Sequence, residues 1–400
     1  MIAENGKRTG GIFRLEILSV LLLVILMILF LTIRHNSGTG TSSDMEITVY
    51  KTGYCFDTVI TLTAYTSRED SERAAQLLED ALLLCQEYEA KYLDRFDEES
   101  EIGAINAAQK QALTQEAGAD GTHVNVQAQS GWDSVDGAAD STVENKTSYS
   151  YELSDICREL VETGLFYYHF SDGAFDLTIA PLSDLWDVTS EDFTVPAQEQ
   201  VAEAKALVGS DRVTLTGNTL TLGEGQQLNF GGIAKGYMCE VLCQYFTENG
   251  LSHVIVNLGG NVFVMGGEDD YTVAVTNPLS EDYAAAVSLS DGYVVTSGIY
   301  ERGQEADGVW YHHIIDPATG YPADTEIVSA TVVMDTFADP DSVVAWHSDV
   351  LSTMFVLVQT RDGADELWQR LKENEDYAAL SQVILVMKDG AVIYFSANDE

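Results

Sequence analysis

The amino-acid sequence predicts an α+β fold with mostly antiparallel sheets flanked by helices. Segments rich in β-branched and aromatic residues come as hairpins and pairs, as in residues 47–65 and 253–267, with glycine near the middle of each. These pairs do not alternate strictly with helices, as the strands of a doubly wound parallel sheet would. The chain has 400 residues and a hydrophobic content of 46%, so we expect one large domain, or two closely packed subdomains, over residues 47–400.

The N-terminal segment is typical of a membrane anchor. Residues 17–33 form an uncharged apolar run that would span about 25 Å as a helix, and Lys7, Arg8 and Arg14 precede it. The expected organisation is a cytoplasmic segment, a transmembrane anchor and a linker, over residues 1–14, 15–34 and 35–46. The domain would then lie outside the cytoplasm, held to the cell membrane by a single span. A cleaved signal peptide is the alternative, although no small-x-small cleavage pattern follows the run.

The charge of the chain argues against one class of partner. Its 64 acidic side chains against 20 basic ones give a net charge of −44 at neutral pH. Nucleic-acid binding depends on clustered lysine and arginine side chains that neutralise phosphates. We therefore expect no nucleic-acid partner for this protein.

Hydrophobic periodicity predicts the order of elements along the domain. A β-hairpin over residues 47–65 precedes an amphipathic helix over residues 70–92, whose apolar positions recur at helical spacing. Residues 107–148 are polar and small without a clear period, which predicts a mobile surface insertion. Further helices are expected near residues 153–168, 198–207, 349–360 and 363–373 and in a segment that ends near residue 249. Further strands are expected in residues 213–223, 253–267, 271–278, 285–298 and 327–335.

Residues 231–236, GGIAKG, place two glycines and a lysine directly before a predicted helix. Glycines let backbone groups approach a ligand closely, and a helix start presents unpaired N–H groups and a positive dipole end. An anion such as phosphate fits this position, with Lys235 as the complementary charge. A glycine turn with a surface lysine is the alternative. The segment is not a P-loop, because no serine or threonine follows the lysine.

Three further features hold candidate functional side chains. Residues 312–322, HHIIDPATGYP, gather titratable groups on a proline-led turn. Asp349 and Thr353 lie at i and i+4 on one face of a predicted helix, where both could bind Mg²⁺ that shares its other positions with phosphate and water. Asp349 could instead only favour the helix N-terminus. Trp186 could stack on a flat ligand ring or pack in the core.

Seven motifs, in this order, resemble those of the ApbE family of FAD:protein FMN transferases, from about residue 47 to the C-terminus. The motifs are FDTVITLTAY, GAFDLTIAPLSDLW, NFGGIAKGY, VNLGGNVFVMG, VVTSGIYER, HHIIDPATGYP and SDVLSTMFVL. The resemblance implies the fold of these flavin transferases and a Mg²⁺-dependent activity. Such an enzyme splits the diphosphate of FAD, attaches FMN through a phosphoester to a serine or threonine hydroxyl of an acceptor protein, and releases AMP.

The resemblance also implies roles for individual residues of this chain. For the Mg²⁺ site it implies Asp349, Thr353 and the carbonyl of Gly232, with Ser352 as a further candidate. For FAD it implies contacts with Phe56, Leu185, Trp186, Asn229, Lys235 and the backbone of Ile315. His313 is the candidate for assisting deprotonation of the acceptor hydroxyl or stabilising the transferred phosphate, and Asp316 for orienting its loop. Asn229 stands where the family usually has an aspartate.

The expected partners are FAD and an acceptor protein that is exported or membrane-bound and carries a serine or threonine flavinylation motif. The family's acceptor motif, Asp-x-x-(Ser/Thr)-Gly-(Ala/Ser/Thr)-Thr, does not occur in this chain, so self-flavinylation at that motif is not expected. Two alternatives stay open. One is an extracytoplasmic FAD hydrolase that uses water as the acceptor. The other is a non-catalytic flavin-binding membrane protein, for which Asn229 leaves room.

Overall fold

The strands of the fold are short and form mostly hairpins. The computed structural model describes residues 46–114, 148–266, 270–336 and 345–397. Within these ranges the strands are β1 (Ile47–Cys55), β2 (Thr58–Thr66), β3 (Ser148–Glu152), β4 (Thr214–Thr216), β5 (Thr219–Gly223), β6 (Val254–Leu258), β7 (Asn261–Met265), β8 (Tyr271–Thr276), β9 (Tyr283–Leu289), β10 (Gly292–Gly298), β11 (Gly303–Ala306), β12 (Val309–His312), β13 (Ile327–Asp335), β14 (Leu380–Met387) and β15 (Val392–Ser396).

Helices separate these groups of strands along the chain. The described α-helices are α1 (Ser71–Tyr88), α2 (Glu101–Thr114), α3 (Asp155–Phe170), α4 (Ala180–Trp186), α5 (Gln198–Ala206), α6 (Ala234–Glu248), α7 (Ser348–Leu357) and α8 (Arg361–Lys372). A π-helical turn, Glu89–Leu93, continues α1. A single 3₁₀ turn, Ala345–His347, leads into α7.

Eight of the strands form one central sheet, in the order β1, β2, β6, β7, β10, β13, β14 and β15. Each pair of neighbours in this sheet is antiparallel. Three smaller sheets accompany it, made of β3, β5 and β4, of β8 and β9, and of β11 and β12. This arrangement confirms the predicted α+β class with mostly antiparallel sheets.

The two faces of the central sheet are covered differently. Alternate residues of a strand point to opposite faces. One set, which includes Val256 and Phe263, belongs to the main core together with buried residues of α1, α6 and α7. The other set, which includes Val264 and Val294, packs against Val287 of β9 in a second cluster. Helices α1, α6 and α7 therefore lie on one face, and the β8–β9 hairpin covers part of the other.

Helix α2 corrects the expected start of the insertion, because it runs into residues 107–148. Asn106 and Gln109 are buried in this helix although both are polar. Their side-chain amides bond to backbone groups; Asn106, for example, bonds to both the N–H and the carbonyl of Leu228. Because these buried positions are polar, they interrupt the apolar periodicity by which a helix is identified in the sequence. Residues 115–147 lie outside the described residues.

Other predicted elements can be compared directly. The hairpin over residues 47–65 corresponds to β1 and β2, and the helix over residues 70–92 corresponds to α1 and its π-helical turn. The predicted anchor, residues 15–34, lies outside the described residues. Among the helices of the described ranges, none has the length and apolar character needed to cross a membrane.

Two hairpin turns meet at one end of the central sheet. The β1–β2 turn consists of Phe56 and Asp57, and the β6–β7 turn consists of Gly259 and Gly260, all four with positive φ. Positive φ at both turn residues matches the right-handed twist of the flanking strands. A Cβ on Gly259 would stand 2.1 Å from Oγ1 of Thr58, so the two hairpins are in close contact at this end.

We expect Gly259→Ala to destabilise the fold more than Gly217→Ala. The two glycines have similar φ, 61° and 59°, where alanine costs about 1–2 kcal/mol. An added Cβ at Gly217 meets no heavy atom within 4 Å, whereas at Gly259 it meets Thr58, and such overpacking adds about 1–3 kcal/mol. Urea unfolding of both variants measures the difference in the free energy of unfolding. Equal losses would contradict the close contact between the hairpins.

Candidate functional site

The N-terminal turns of α6 and α7 are packed against each other. Gly236, in the first turn of α6, donates its backbone N–H to Oδ2 of Asp349, in the first turn of α7, at 3.0 Å. A Cβ on Gly236 would stand 2.3 Å from the carbonyl oxygen of Trp346, so only glycine permits this approach. The contact brings the positive dipole ends of two helices into one region.

Asp349 is the buried negative charge at this junction. Its side chain is 2% exposed. Nζ of Lys235 lies 3.4 Å from Oδ1 of Asp349 and also donates to the carbonyl of Gly231 at 3.1 Å. A buried carboxylate is costly unless it is paired and hydrogen-bonded, and here a lysine and a backbone N–H stabilise it. The structure thus brings together the glycine turn, Lys235 and Asp349.

Three hydroxyl groups line the same region. Oγ of Ser297, near the end of β10, lies 2.7 Å from Oγ of Ser352 and 3.1 Å from Oγ1 of Thr353. Gly232 borders this cluster, because a Cβ on it would stand 3.6 Å from Oγ1 of Thr353. Thr353 and Ser352 both donate to the carbonyl of Asp349, at 3.3 and 2.9 Å. The residues expected to bind Mg²⁺ are therefore neighbours in the fold.

The chemistry of these donors fits a hard cation that is shared with a ligand. Mg²⁺ prefers six oxygen ligands and commonly takes several of them from water and substrate phosphates. Within the part of the chain that the structure describes, no group of three or more His, Cys, Asp or Glu side chains is placed to hold a metal. A cation beside Asp349 and Thr353 would therefore take further ligands from phosphate or water.

The ring of His313 is held in one tautomer. Its Nδ1 lies 3.2 Å from the carbonyl oxygen of Arg302, which can only accept, so Nδ1 carries the proton and Nε2 keeps its lone pair. The backbone N–H of His313 donates to the same carbonyl. Burial lowers the pKa of His313 to about 3, and the positive charges of Arg302 and Lys235 act in the same direction. His313 is therefore a neutral acceptor at physiological pH.

Asp316 holds the loop that follows His313. Its Oδ1 accepts the backbone N–H of Ala318 at 2.8 Å, and its Oδ2 accepts from the side chain of Gln359 at 3.2 Å. Its own backbone N–H donates to the carbonyl of Tyr321 at 2.9 Å. These bonds are those of a positioning residue, which is the role expected of Asp316.

Glu301 and Arg302 belong to this region although sequence reasoning gave them no role. The carboxyl group of Glu301 lies close to the β6–β7 turn, where a Cβ on Gly260 would stand 3.6 Å from its Oε1. Glu301 is exposed to solvent, and partial loss of water around its carboxyl group raises the pKa of that group, against the opposing effect of Lys235 and Arg302. The sequence signal that could have identified these two residues is their position as a charged pair at the end of the motif VVTSGIYER, after a glycine-containing strand.

Phe56 lies at the edge of the same region. Its half-buried side chain packs against the main core. Its carbonyl oxygen is 3.5 Å from Nη2 of Arg302, whose backbone carbonyl binds His313. Arg302 therefore connects the residue expected to contact the flavin with the residue expected to assist transfer.

The ring of Trp186, for which a flavin contact stays a prediction, is packed inside the protein. This side chain is 1% exposed, and its indole N–H donates to the carbonyl of Gly320 at 2.8 Å. The ring stacks on Tyr311 with a centroid distance of 5.5 Å. Ile315 is buried in the same cluster, and half-buried Leu185 packs beside it. Trp186 is thus a core residue, because protein encloses the ring on all sides.

Asn229 shapes the glycine turn. Its Oδ1 accepts the backbone N–H of Gly231 at 2.8 Å, and its Nδ2 donates to Oγ of Ser183 at 3.3 Å. An aspartate at this position could accept the same N–H, so the bond that shapes the turn does not depend on the amide. Compared with an aspartate, Asn229 removes one negative charge from the glycine turn. Lys235 remains paired with Asp349.

A buried carboxylate, a lysine and clustered hydroxyls at two helix N-termini are features that suit the binding of a phosphate group. The chain belongs to the ApbE family, whose model matches residues 56–379. The FAD:protein FMN transferase of Treponema pallidum (strain Nichols) is 34% identical over 205 residues, which cover 46% of this chain and 57% of that protein. The FAD:protein FMN transferase of Klebsiella pneumoniae (strain 342) is 35% identical over 175 residues, with 42% and 54% covered. The matched region thus spans little more than half the length of these relatives.

Solved structures share the fold over most of the chain. The crystal structure of the ApbE protein from Thermotoga maritima has a TM-score of 0.66 and 25% identity, and covers 87% of this chain and 96% of its own. The flavin transferase ApbE from Vibrio cholerae has a TM-score of 0.64 and 20% identity, with 88% and 98% covered. At that identity, the second likeness shows the fold alone.

We expect the imidazole of His313 to stay neutral, with the proton on Nδ1, between pH 5 and pH 8. The pKa of about 3 lies below this range, so no protonation step falls within it. His312 is an internal control, because its Nε2 donates to the carbonyl of Ala323 and its ring therefore has the opposite tautomer. Burial lowers the pKa of His312 to about 4, so this ring should also stay neutral. Long-range ¹H–¹⁵N spectra recorded across this pH range distinguish the two tautomers. A protonation midpoint of His313 near pH 6.5 would contradict this assignment.

Proposed function

We propose that this protein is an FAD:protein FMN transferase, which moves FMN from FAD to a serine or threonine hydroxyl of an acceptor protein and releases AMP. The observation that carries the proposal is Asp349, buried where two helix N-termini meet and bonded to Lys235 and Gly236. The names of the relatives from Treponema pallidum and Klebsiella pneumoniae support it. Membership of the ApbE family agrees with this activity.

The transfer exchanges the phosphoanhydride bond of the FAD diphosphate for a phosphoester bond to the acceptor. The acceptor hydroxyl oxygen forms a bond to the phosphorus of the FMN half, the bond from that phosphorus to the oxygen shared with AMP breaks, and AMP leaves with that oxygen. Phosphoryl transfer depends mainly on positioning and on stabilisation of negative charge. Lys235 and the positive end of the α6 dipole provide that stabilisation on the protein side.

Mg²⁺ is part of this proposal. Asp349, Thr353 and the carbonyl of Gly232 would hold it. The hydroxyl of Ser297 bonds to the hydroxyls of both Ser352 and Thr353, which fixes the position of the Thr353 hydroxyl. When bound, a divalent cation neutralises charge on the diphosphate. The single carboxylate leaves several coordination positions for phosphate oxygens and water, which suits a substrate that brings its own ligands.

His313 would take the proton of the acceptor hydroxyl. Its Nε2 keeps a lone pair because Nδ1 is held by the carbonyl of Arg302. A pKa of about 3 makes this nitrogen a weak base, so it accepts the proton only as the oxygen–phosphorus bond forms. Asp316 orients the loop that carries His313 and does not take part in the proton transfer.

The location and the acceptor are also proposals. The uncharged run of residues 17–33, with basic residues before it, supports a membrane anchor and a domain outside the cytoplasm. A domain held there would meet acceptors that are themselves exported or membrane-bound. Fractionation of cells that express the full chain, combined with protease digestion of intact cells, tests this placement. Recovery of the chain in the soluble cytoplasmic fraction would contradict it.

We expect Asp349→Asn to lower the rate of flavin transfer by about 10²–10³-fold, the typical loss when one charge-stabilising group is removed from an active site. The full chain is mixed with FAD, Mg²⁺ and an acceptor domain bearing the family's motif, and flavin fluorescence on the acceptor is measured after denaturing electrophoresis. Asp365→Asn, an exposed aspartate on α8, is the matched control and should transfer at the rate of the unaltered chain. A chelator should abolish transfer by the unaltered chain.

The products identify the activity if no flavin becomes attached. Release of FMN and AMP without labelling of the acceptor would replace the transferase proposal with an FAD hydrolase. FAD that stays intact but bound would indicate a non-catalytic flavin-binding protein. Full transfer by Asp349→Asn would contradict the role of this carboxylate.

A further inference from the structure

The β1–β2 turn is held in a conformation that its residues do not favour. Phe56 and Asp57 have φ of 54° and 55°. Two-residue hairpin turns of this type usually contain glycine or asparagine, because a side chain disfavours positive φ. Asp57 is tolerated in this region, but the bulky side chain of Phe56 is not favoured there and requires support from the surrounding structure.

Glu89 supports the turn from one side. Its Oε1 accepts the backbone N–H of Phe56 at 2.5 Å, and its Oε2 accepts from Sγ of Cys55 at 3.0 Å. Glu89 is the first residue of the π-helical turn that continues α1. π-Helical turns are rare and occur frequently at functional sites. Here the turn places a carboxylate against a backbone N–H that is 33 residues away in sequence.

Arg302 supports the turn from the other side. Its Nη2 lies 3.5 Å from the carbonyl oxygen of Phe56 and 3.4 Å from that of Asp57. Its own carbonyl accepts both the backbone N–H and the Nδ1–H of His313. A continuous series of contacts therefore runs from Glu89 through the turn and Arg302 to His313.

We propose that Glu89 is a positioning residue for FAD binding, which together with Arg302 fixes the Phe56–Asp57 turn relative to His313. This inference rests on the proposed function, since it assigns the turn as the place where the flavin half of FAD lies. Glu89 does not touch the ligand in this proposal. It lowers the entropy that the turn would lose on binding, because the turn is already in one conformation before FAD arrives.

The test compares Glu89→Ala, Glu89→Gln and Glu87→Ala in the full chain. Glu87 is exposed on the same helix and serves as the matched control. Titration of flavin fluorescence gives the Kd for FAD in the presence of Mg²⁺, and the transfer assay gives KM and kcat. Thermal unfolding of each variant shows whether it is folded.

We expect Glu89→Ala to raise the Kd and the KM for FAD about tenfold while kcat changes less than threefold. Glu89→Gln keeps one oxygen for the N–H of Phe56, so its Kd should rise no more than about threefold. Adding Asp57→Gly to Glu89→Ala should recover part of the lost affinity, because glycine adopts positive φ without support. Glu87→Ala should match the unaltered chain in every measurement.

Three results would overturn the proposal. The first is a Kd of Glu89→Ala equal to that of the unaltered chain. The second is an equal loss of kcat, FAD affinity and melting temperature in the alanine and glutamine variants. Such a pattern would indicate a general structural defect. The third is a failure of the unaltered chain to bind FAD, which would contradict both the proposed function and this inference. The first two results would contradict this inference alone.

Discussion

The contact between the N-terminal turns of α6 and α7 is the constraint on which the candidate site depends. Gly236 lets the helices approach and donates its N–H to Asp349, and Lys235, the residue before it, reaches the same carboxylate. Because Asp349 is buried, loss of its lysine partner would cost about 3–5 kcal/mol. The same contact sets the position of Thr353, one helical turn further along α7.

The central sheet supplies the other half of the site. Its end carries Ser297, both hairpin turns and the Arg302 carbonyl that fixes the tautomer of His313. The helices thus provide positive potential and the sheet provides fixed orientation. With a net charge of −44, the chain as a whole repels anions. The local positive charge of Lys235, Arg302 and the helix ends is therefore what would favour a diphosphate at this position.

Periodicity in the sequence was sufficient to predict the β1–β2, β4–β5 and β6–β7 hairpins and most helices, because alternating and helical patterns report burial directly. The β11–β12 and β14–β15 hairpins were not predicted. Helix α2 was partly missed because Asn106, although buried, is polar and bonds to the backbone of Leu228. Glycine and helix-start signals, together with the family resemblance, singled out Lys235, Asp349 and Thr353, and their functional roles stay predictions. The role of Glu89 was not, because its bonds to the β1–β2 turn join segments that only the folded chain brings together. Trp186 shows another limit of sequence reasoning. The sequence does not distinguish an aromatic residue that contacts a ligand from one that packs in the core.

The most direct test of this site is to locate a divalent cation in crystals of the protein grown with FAD and Mn²⁺, which replaces Mg²⁺ at oxygen-rich sites. Anomalous scattering from manganese identifies the ion without reference to any assumed ligand. The structure predicts a peak at coordination distance from the side chains of Asp349 and Thr353, with the diphosphate of FAD completing the coordination beside Lys235. A manganese peak elsewhere, with FAD bound and Asp349 still paired only with Lys235 and Gly236, would contradict the assignment of this junction as the site of transfer.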